Sequence, residues 1–211
     1  MKNLSTTLLN CKQLTMKLTL IVIAIIAGVF ILSQIYFIMA KTETQPYKII
    51  KSEKKFEIRK YPAATMATIS MDVKTYKELS SPGFSKLASY IFGSNEGKKK
   101  IAMTSPVHMD INDSMSSMSF VMPADYNLDN LPKPNDSTIR LEKSEDQYVA
   151  AIQFGGFAND EEIKKYASKL EEALKESDII YYGNFRFLGY NAPFQLLGRR
   201  NEIIVNIQWN Q

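Results

Sequence analysis

The 211-residue chain contains one histidine, His108, and one cysteine, Cys11. A structural zinc site draws on four Cys/His ligands and a catalytic one generally on three side chains, so the supply argues against either. A Cys–His nucleophile pair needs both residues in one folded unit. Here Cys11 sits in a short basic leader ahead of a long apolar run, whereas His108 sits in a strand-like stretch. With a single cysteine no disulfide forms within the chain. Phosphate chemistry fares no better: Gly93-x-x-x-Gly97 lacks the Lys-Ser/Thr that completes a phosphate loop, and Gly155-Gly156 closes a strand. No G-x-S-x-G elbow is present either. The inventory points to binding rather than catalysis.

Four groups remain as binding candidates. Lys98, Lys99 and Lys100 form a basic run that reads either as a solvated loop or as a cationic rim for an anionic ligand. Met103, Met109, Met115, Met118 and Met122 crowd the middle strands, where thioethers pack cores and also line pockets for flat, polarizable ligands. His108 alternates with Val107 and Met109, which places it on the opposite strand face from both and predicts exposure to water; it is a weak candidate iron ligand. Arg199, Arg200 and Glu202 open the last strand and are expected to pin a chain reversal through fork-shaped guanidinium contacts.

The elements that position these residues follow from periodicity. Phe56 and Ile58 alternate with Glu57 and Arg59 as in a half-buried strand, and residues 64–71 give a second. Ser81-Pro82 reads as a helix start, with Phe84, Leu87, Ala88 and Ile91 as its apolar stripe and Gly93 as its stop. Residues 100–104, 107–111 and 118–122 are strand-like. After a loop rich in Pro, Asn and Asp the order returns. Strands at 138–142 and 148–154 precede a helix opened by Asn159 with Glu162, its stripe running from Ile163 to Leu174; strands follow at 185–190 and 202–209. Two β-β-α-β-β passes predict an internally duplicated α+β domain whose antiparallel strands form one curved sheet or distorted barrel flanked by two helices.

The N-terminal part is of another kind. Between Lys17 and Lys41 no residue is charged, and residues 18–40 suffice to span a bilayer. Lys2, Lys12 and Lys17 precede this run without an acid, so the positive-inside rule puts residues 1–17 on the cytoplasmic side and the rest on the exported side. A cleaved signal peptide is the rival reading. Residues 41–46 read as a linker and 47–211 as the soluble domain. Beyond residue 40 there are 23 bases and 22 acids, a net charge of +1, which argues against a nucleic-acid groove.

Several blocks resemble, in combination and order, the SOUL haem-binding protein family: Lys55–Pro62 (KFEIRKYP), Phe84–Asn95 (FSKLASYIFGSN), Lys100–Val107 (KIAMTSPV), Phe120–Pro123 (FVMP), Phe154–Phe157 (FGGF) and Gly189–Ile203 (GYNAPFQLLGRRNEI). The resemblance runs from about Tyr47 to Trp209. It implies a duplicated α+β fold and a shallow apolar cleft beside the first helix of the domain, holding haem or another porphyrin as a non-catalytic ligand. Some relatives are proposed to ligate iron through a histidine that here is Lys60, and Ser89 and Gln195 stand near where others carry lysines. A porphyrin asks for a large apolar face and a cationic edge. Phe84, Leu87, Ala88, Ile91 and Met103 are expected to supply the face, and Lys86 or Lys98, Lys99 and Lys100 the edge. A sensor of small molecules, apolar cations or amphipathic peptides on the same fold, and an enzyme that frees iron from haem, are the alternatives.

Overall fold

The computed structural model describes residues 2–39 and 42–209. It falls into two compact units, one of residues 1–41 with 195–197 and one of 42–194 with 198–211. The first is a helix, α1 (Lys2–Met39), of which Thr15–Tyr36 is long and apolar enough to cross a membrane. Two of its hydroxyls bond within the helix: Thr19 Oγ1 donates to the Thr15 carbonyl at 2.9 Å and Ser33 Oγ to that of Phe30 at 2.6 Å. The expected end of the span at Ala40 and start of the linker at Lys41 lie outside the described residues.

The second unit begins with two strands, the first of them inside the segment expected as a linker. β1 (Glu43–Thr44) and β2 (Lys48–Ser52) precede β3 (Glu57–Tyr61) and β4 (Thr65–Met71). Helix α2 (Tyr76–Ile91) leads through a short 3-10 turn to β5 (Thr104–Ser105), β6 (Val107–Asp110) and β7 (Ser116–Val121). β8 (Ile139–Lys143), β9 (Gln147–Phe154), helix α3 (Asp160–Glu176), β10 (Tyr181–Gly189) and β11 (Asn201–Ile207) form the second pass. Nine strands make one sheet in the order β2-β3-β9-β11-β10-β6-β7-β4-β8, an unclosed, distorted barrel with β2 and β8 at its edges.

Within this sheet the duplication is visible as symmetry. Matching β3, β4, β6 and β7 of the first pass to β8, β9, β10 and β11 of the second, the order from β3 to β8 reads the same from either end. The pseudo-twofold axis therefore runs between β6 and β10, where Met109 faces Phe187 across an antiparallel register. Both helices pack on one face, over a core that includes Ile58, Ile69, Leu87, Met118, Leu170, Leu174 and Ile203.

Helix α2 starts six residues before the Pro82 signal. Thr75 and Glu78 form the capping pair: Thr75 Oγ1 accepts from the Glu78 amide at 3.2 Å and Glu78 Oε2 accepts from the Lys74 amide at 3.1 Å. Asp160, the first residue of α3, accepts from the Tyr76 amide at 2.6 Å and so ties the two helix N-termini together. Pro82 is then an exposed residue of the helix interior, and the helix is held through it by the buried Leu79, Leu87 and Ile91. Next to it Gly83 permits close approach, since a Cβ there would stand 3.2 Å from Met118 Cε. Asn159 caps α3 as the sequence suggests, accepting from the Glu162 amide at 2.8 Å.

The sheet face turned away from the helices holds a smaller apolar cluster of Tyr61, Val149, Ala151, Leu188 and Ile204 around a buried ion network. Arg59 donates to both oxygens of the fully buried Glu202, at 2.7 and 3.1 Å, and Arg200 donates to Glu202 Oε1 at 2.7 Å. Tyr190 Oη donates to Glu202 Oε2 at 2.8 Å, and Tyr47 stacks on the Arg59 guanidinium at 4.3 Å. Burial would raise the Glu202 pKa, but the Arg59 bonds and charge, joined by those of Arg200, hold it below the usual carboxylate value of 4.5. Its stabilising contribution is complete above that value and is lost as pH falls through the lowered one. Replacing Glu202 by Gln removes the carboxylate that Arg59 and Arg200 share, leaving Arg59 with Glu57 at 2.7 Å and Arg200 with the Tyr47 hydroxyl at 3.0 Å, and is expected to cost about 3 kcal/mol. Denaturant unfolding of the full-length chain at neutral pH measures this, and the variant should lose the acid-dependent step that Glu202 contributes.

Candidate functional site

Between the two helices the sheet is left partly uncovered. α2 lies over β4 and β7 and α3 over β9, β10 and β11, so β6 and β10 at the pseudo-twofold axis form the floor of a groove. On the α2 side this groove deepens into a cavity of about 360 Å3. Val107, Met109, Phe187 and Gly189 make its floor, and Tyr76, Ser80, Ser81, Phe84 and Ser85 of α2 make one wall. Phe157 and the loop between β10 and β11, through Asn191, Pro193 and Arg199, make the other, with Asn201 at its base. A second hollow of about 420 Å3 shares Met109 and Phe187 and lies against Asp160, Ile163, Lys164 and Ala167 of α3.

Each wall is held by identifiable contacts. Phe84 meets Phe120 edge-on at 5.3 Å, and Tyr76 meets Phe187 edge-on at 5.5 Å. The loop is closed at its base by Asn191, whose Oδ1 accepts from the Arg200 amide at 2.6 Å, and by Asn201, whose Nδ2 donates to the Gly156 carbonyl at 2.8 Å. Arg199 donates to the Ala192 carbonyl at 2.9 Å and lies over the Phe157 ring at 4.5 Å. Burial lowers its pKa, yet a guanidinium stays charged at any ordinary pH. Burial likewise raises the Tyr76 pKa, against which the Arg199 charge acts.

The structure distributes the residues expected from sequence over several places. Phe84 lines the cavity. Leu87, Ala88 and Ile91 are buried beneath α2 in the main core, because the same stripe that offers an apolar face also packs the helix onto the sheet. Met103 is half-buried against that core. Lys86 is directed to the surface, where Nζ lies 3.5 Å from Asp136. Lys98, Lys99 and Lys100 form an exposed turn beyond the end of α2 opposite the cavity, braced by Asn95, which accepts from the Lys99 amide at 2.9 Å. Arg200 and Glu202 do pin the chain as expected, whereas Arg199, one position earlier, points to the other face and borders the cavity. The alternation of residues 199–202 carried that signal. What it lacked was which face carries the cavity.

The expected exposure of His108 is corrected by the structure. It does face away from Val107 and Met109, but that side is covered, and His108 is 6% exposed with Nε2 2.8 Å from Gln45 Oε1. Gln45 belongs to the segment expected as a linker, which instead lies along β5, its amide donating to the Ser105 carbonyl at 2.7 Å. Burial, reinforced by the nearby Arg186 charge, pushes the His108 pKa down to about 3.

A fold of this kind, with a ligand-sized apolar cavity at the symmetry axis of a duplicated sheet, defines a small-molecule-binding α+β module. Residues 42–206 match the family model described as SOUL heme-binding protein, and the chain belongs to that family. Among curated relatives, heme-binding protein 1 of Xenopus laevis is 33% identical over 156 residues, covering 70% of this chain and 81% of that one. Heme-binding protein 2 of Homo sapiens is 33% identical over 160 residues, covering 70% and 76%. The same fold occurs in the EcmrR C-terminal domain, at a TM-score of 0.59 with 8% identity over 78% of this chain and 99% of that one.

With its pKa near 3 in the folded state, His108 does not take up the proton that an unfolded histidine binds near 6.5. Stability is therefore complete above 6.5 and declines as pH falls toward 3. The His108→Gln variant should unfold with a flatter pH dependence across this window, measured by thermal melts of the full-length chain; an unchanged slope would count against the assignment.

Proposed function

We propose that this protein binds haem or a related tetrapyrrole in the cavity between α2 and the β10–β11 loop, as a carrier rather than a catalyst. The observation that carries the reading is the combination of an open apolar slot with one guanidinium at its border, in a chain of the SOUL family. The curated relatives named as heme-binding proteins support the ligand class. Room for a flat ring is supported by the second hollow of about 420 Å3 that adjoins the cavity over Met109 and Phe187, and at Gly189 in the floor a Cβ would press on the Phe187 ring at 3.2 Å.

In this reading Phe84, Phe157, Val107 and Phe187 cover part of a flat ring, and Arg199 receives an acidic group on its edge. Burial of apolar surface at roughly 25 cal/mol per Å2 drives association, offset by the loss of ligand freedom. Haem, when bound, supplies an iron centre and two carboxylates; the protein orients the ring and excludes water from one face. Serines 80, 81 and 85 line the wall without a histidine or carboxylate beside them among the cavity-lining residues, which favours binding over hydrolytic chemistry. A sensor for apolar cations would be expected to offer a carboxylate to its ligand, whereas the described residues that line this cavity include Arg199 and no carboxylate.

Titration of the full-length chain with hemin, followed by the Soret band and by quenching of the single tryptophan, Trp209, tests the proposal. Ser80→Phe, which fills the cavity, and Arg199→Gln, which removes the charge, are each expected to weaken binding about tenfold or more. Equal affinities in all three proteins would sink this site.

The helix α1 is further proposed to anchor the domain in a membrane with the domain on the non-cytoplasmic side. Its apolar span and the lysines preceding it support this. After alkaline carbonate extraction the chain should remain in the membrane pellet, and protease added outside the permeability barrier should digest the domain in intact cells or spheroplasts. Release into the supernatant would remove the anchor from the proposal.

A further inference from the structure

We propose that Tyr76 is the residue through which the cavity coordinates the iron of a ferric porphyrin, with its phenol oxygen as the donor. The proposal rests on the tetrapyrrole-binding reading and adds to it the identity of the metal ligand. No histidine, cysteine, aspartate or glutamate lines the cavity among the described residues. The strands that form its floor and base send His108 and Glu202 to the opposite face, where the first lies against Gln45 and the second is held by Arg59. Two donors able to bind iron remain: the Tyr76 phenol and the Met109 thioether.

The chemistry favours the phenol. Ferric iron prefers an anionic oxygen to a neutral thioether, and tyrosinate is an established axial ligand of haem. A ferric porphyrin core carries one net positive charge and a phenolate one negative, so their union places a neutral pair in an apolar slot instead of a bare charge. On binding, a water ligand leaves the iron and the phenol proton passes to solvent through the open side of the cavity. The ring is fixed by its edge-on contact with Phe187 and by the capped first turn of α2, in which the Asp160 carboxylate holds the Tyr76 amide. Its hydroxyl makes no hydrogen bond among the described residues, so coordination breaks no existing contact.

The test compares hemin with metal-free protoporphyrin on the full-length wild type and on Tyr76→Phe and Met109→Leu. Wild type is expected to show a phenolate-to-iron charge-transfer band and tyrosinate modes in resonance Raman, both absent from Tyr76→Phe and retained in Met109→Leu. In Tyr76→Phe hemin affinity should fall on the order of tenfold more than the affinity for metal-free protoporphyrin, whereas in Met109→Leu the two should change together. Since the hydroxyl makes no hydrogen bond among the described residues, the melting temperature of Tyr76→Phe should lie close to that of wild type. Identical hemin spectra in wild type and Tyr76→Phe, or loss of the band in Met109→Leu alone, would overturn the assignment and leave the cavity reading standing. Failure of both porphyrins to quench Trp209 in wild type would overturn both.

Discussion

A single buried carboxylate sets the geometry on which the rest of this molecule depends. Glu202 is fully enclosed and is gripped by Arg59 from β3 and Arg200 from its own strand, with Tyr190 adding a hydroxyl. Such a cluster gains little net stability over an apolar equivalent, because three charges are taken out of water. Its effect is on register. A strand slipped by one residue would turn Arg200 and Glu202 together toward the apolar core under the helices and leave Arg59 with only the partly exposed Glu57. Fixing residues 200 and 202 on one face fixes Arg199 and Asn201 on the other. The cation at the cavity and the asparagine that ties its base to Gly156 are consequences of the ion network behind them.

The cavity itself follows from the symmetry of the sheet. Each pass of the duplication covers its own strands with its own helix, and the two helices are tied at their N-termini by Asp160. Between them the central pair β6 and β10 is left with only side chains above it. Where α2 approaches closely, as at Gly83 over Met118, the core is sealed. Toward its first turns the wall carries serines and two aromatic rings, and the space remains open. A groove of this origin is apolar at the floor and polar at the border, which suits a flat ligand with an acidic edge.

The likeness to the EcmrR C-terminal domain at 8% identity speaks for the fold alone. Among the described residues, the cavity lining of this chain carries Arg199 and no carboxylate.

Alternating and helical periodicities in the sequence were enough to place the two β-β-α-β-β passes, the capped α3 and the apolar α1, because these depend on contacts close along the chain. The family was legible too, from blocks at fixed order. Other features escaped for a physical reason. β1 and β2 are short and mostly exposed, so neither shows an apolar alternation, and the pairing of β1 with Thr104 and Ser105 is long-range. The start of α2 was set by Thr75 and by a carboxylate 84 positions away, against the local signal of Pro82. Only the folded chain decided that Leu87, Ala88 and Ile91 are core while Tyr76, Phe157, Phe187 and Arg199 meet around a space, since a stripe of apolar residues reads the same whether it touches protein or ligand. Likewise the sequence put His108 on the face opposite Met109, but burial of that face required Gln45, brought there from 63 residues upstream.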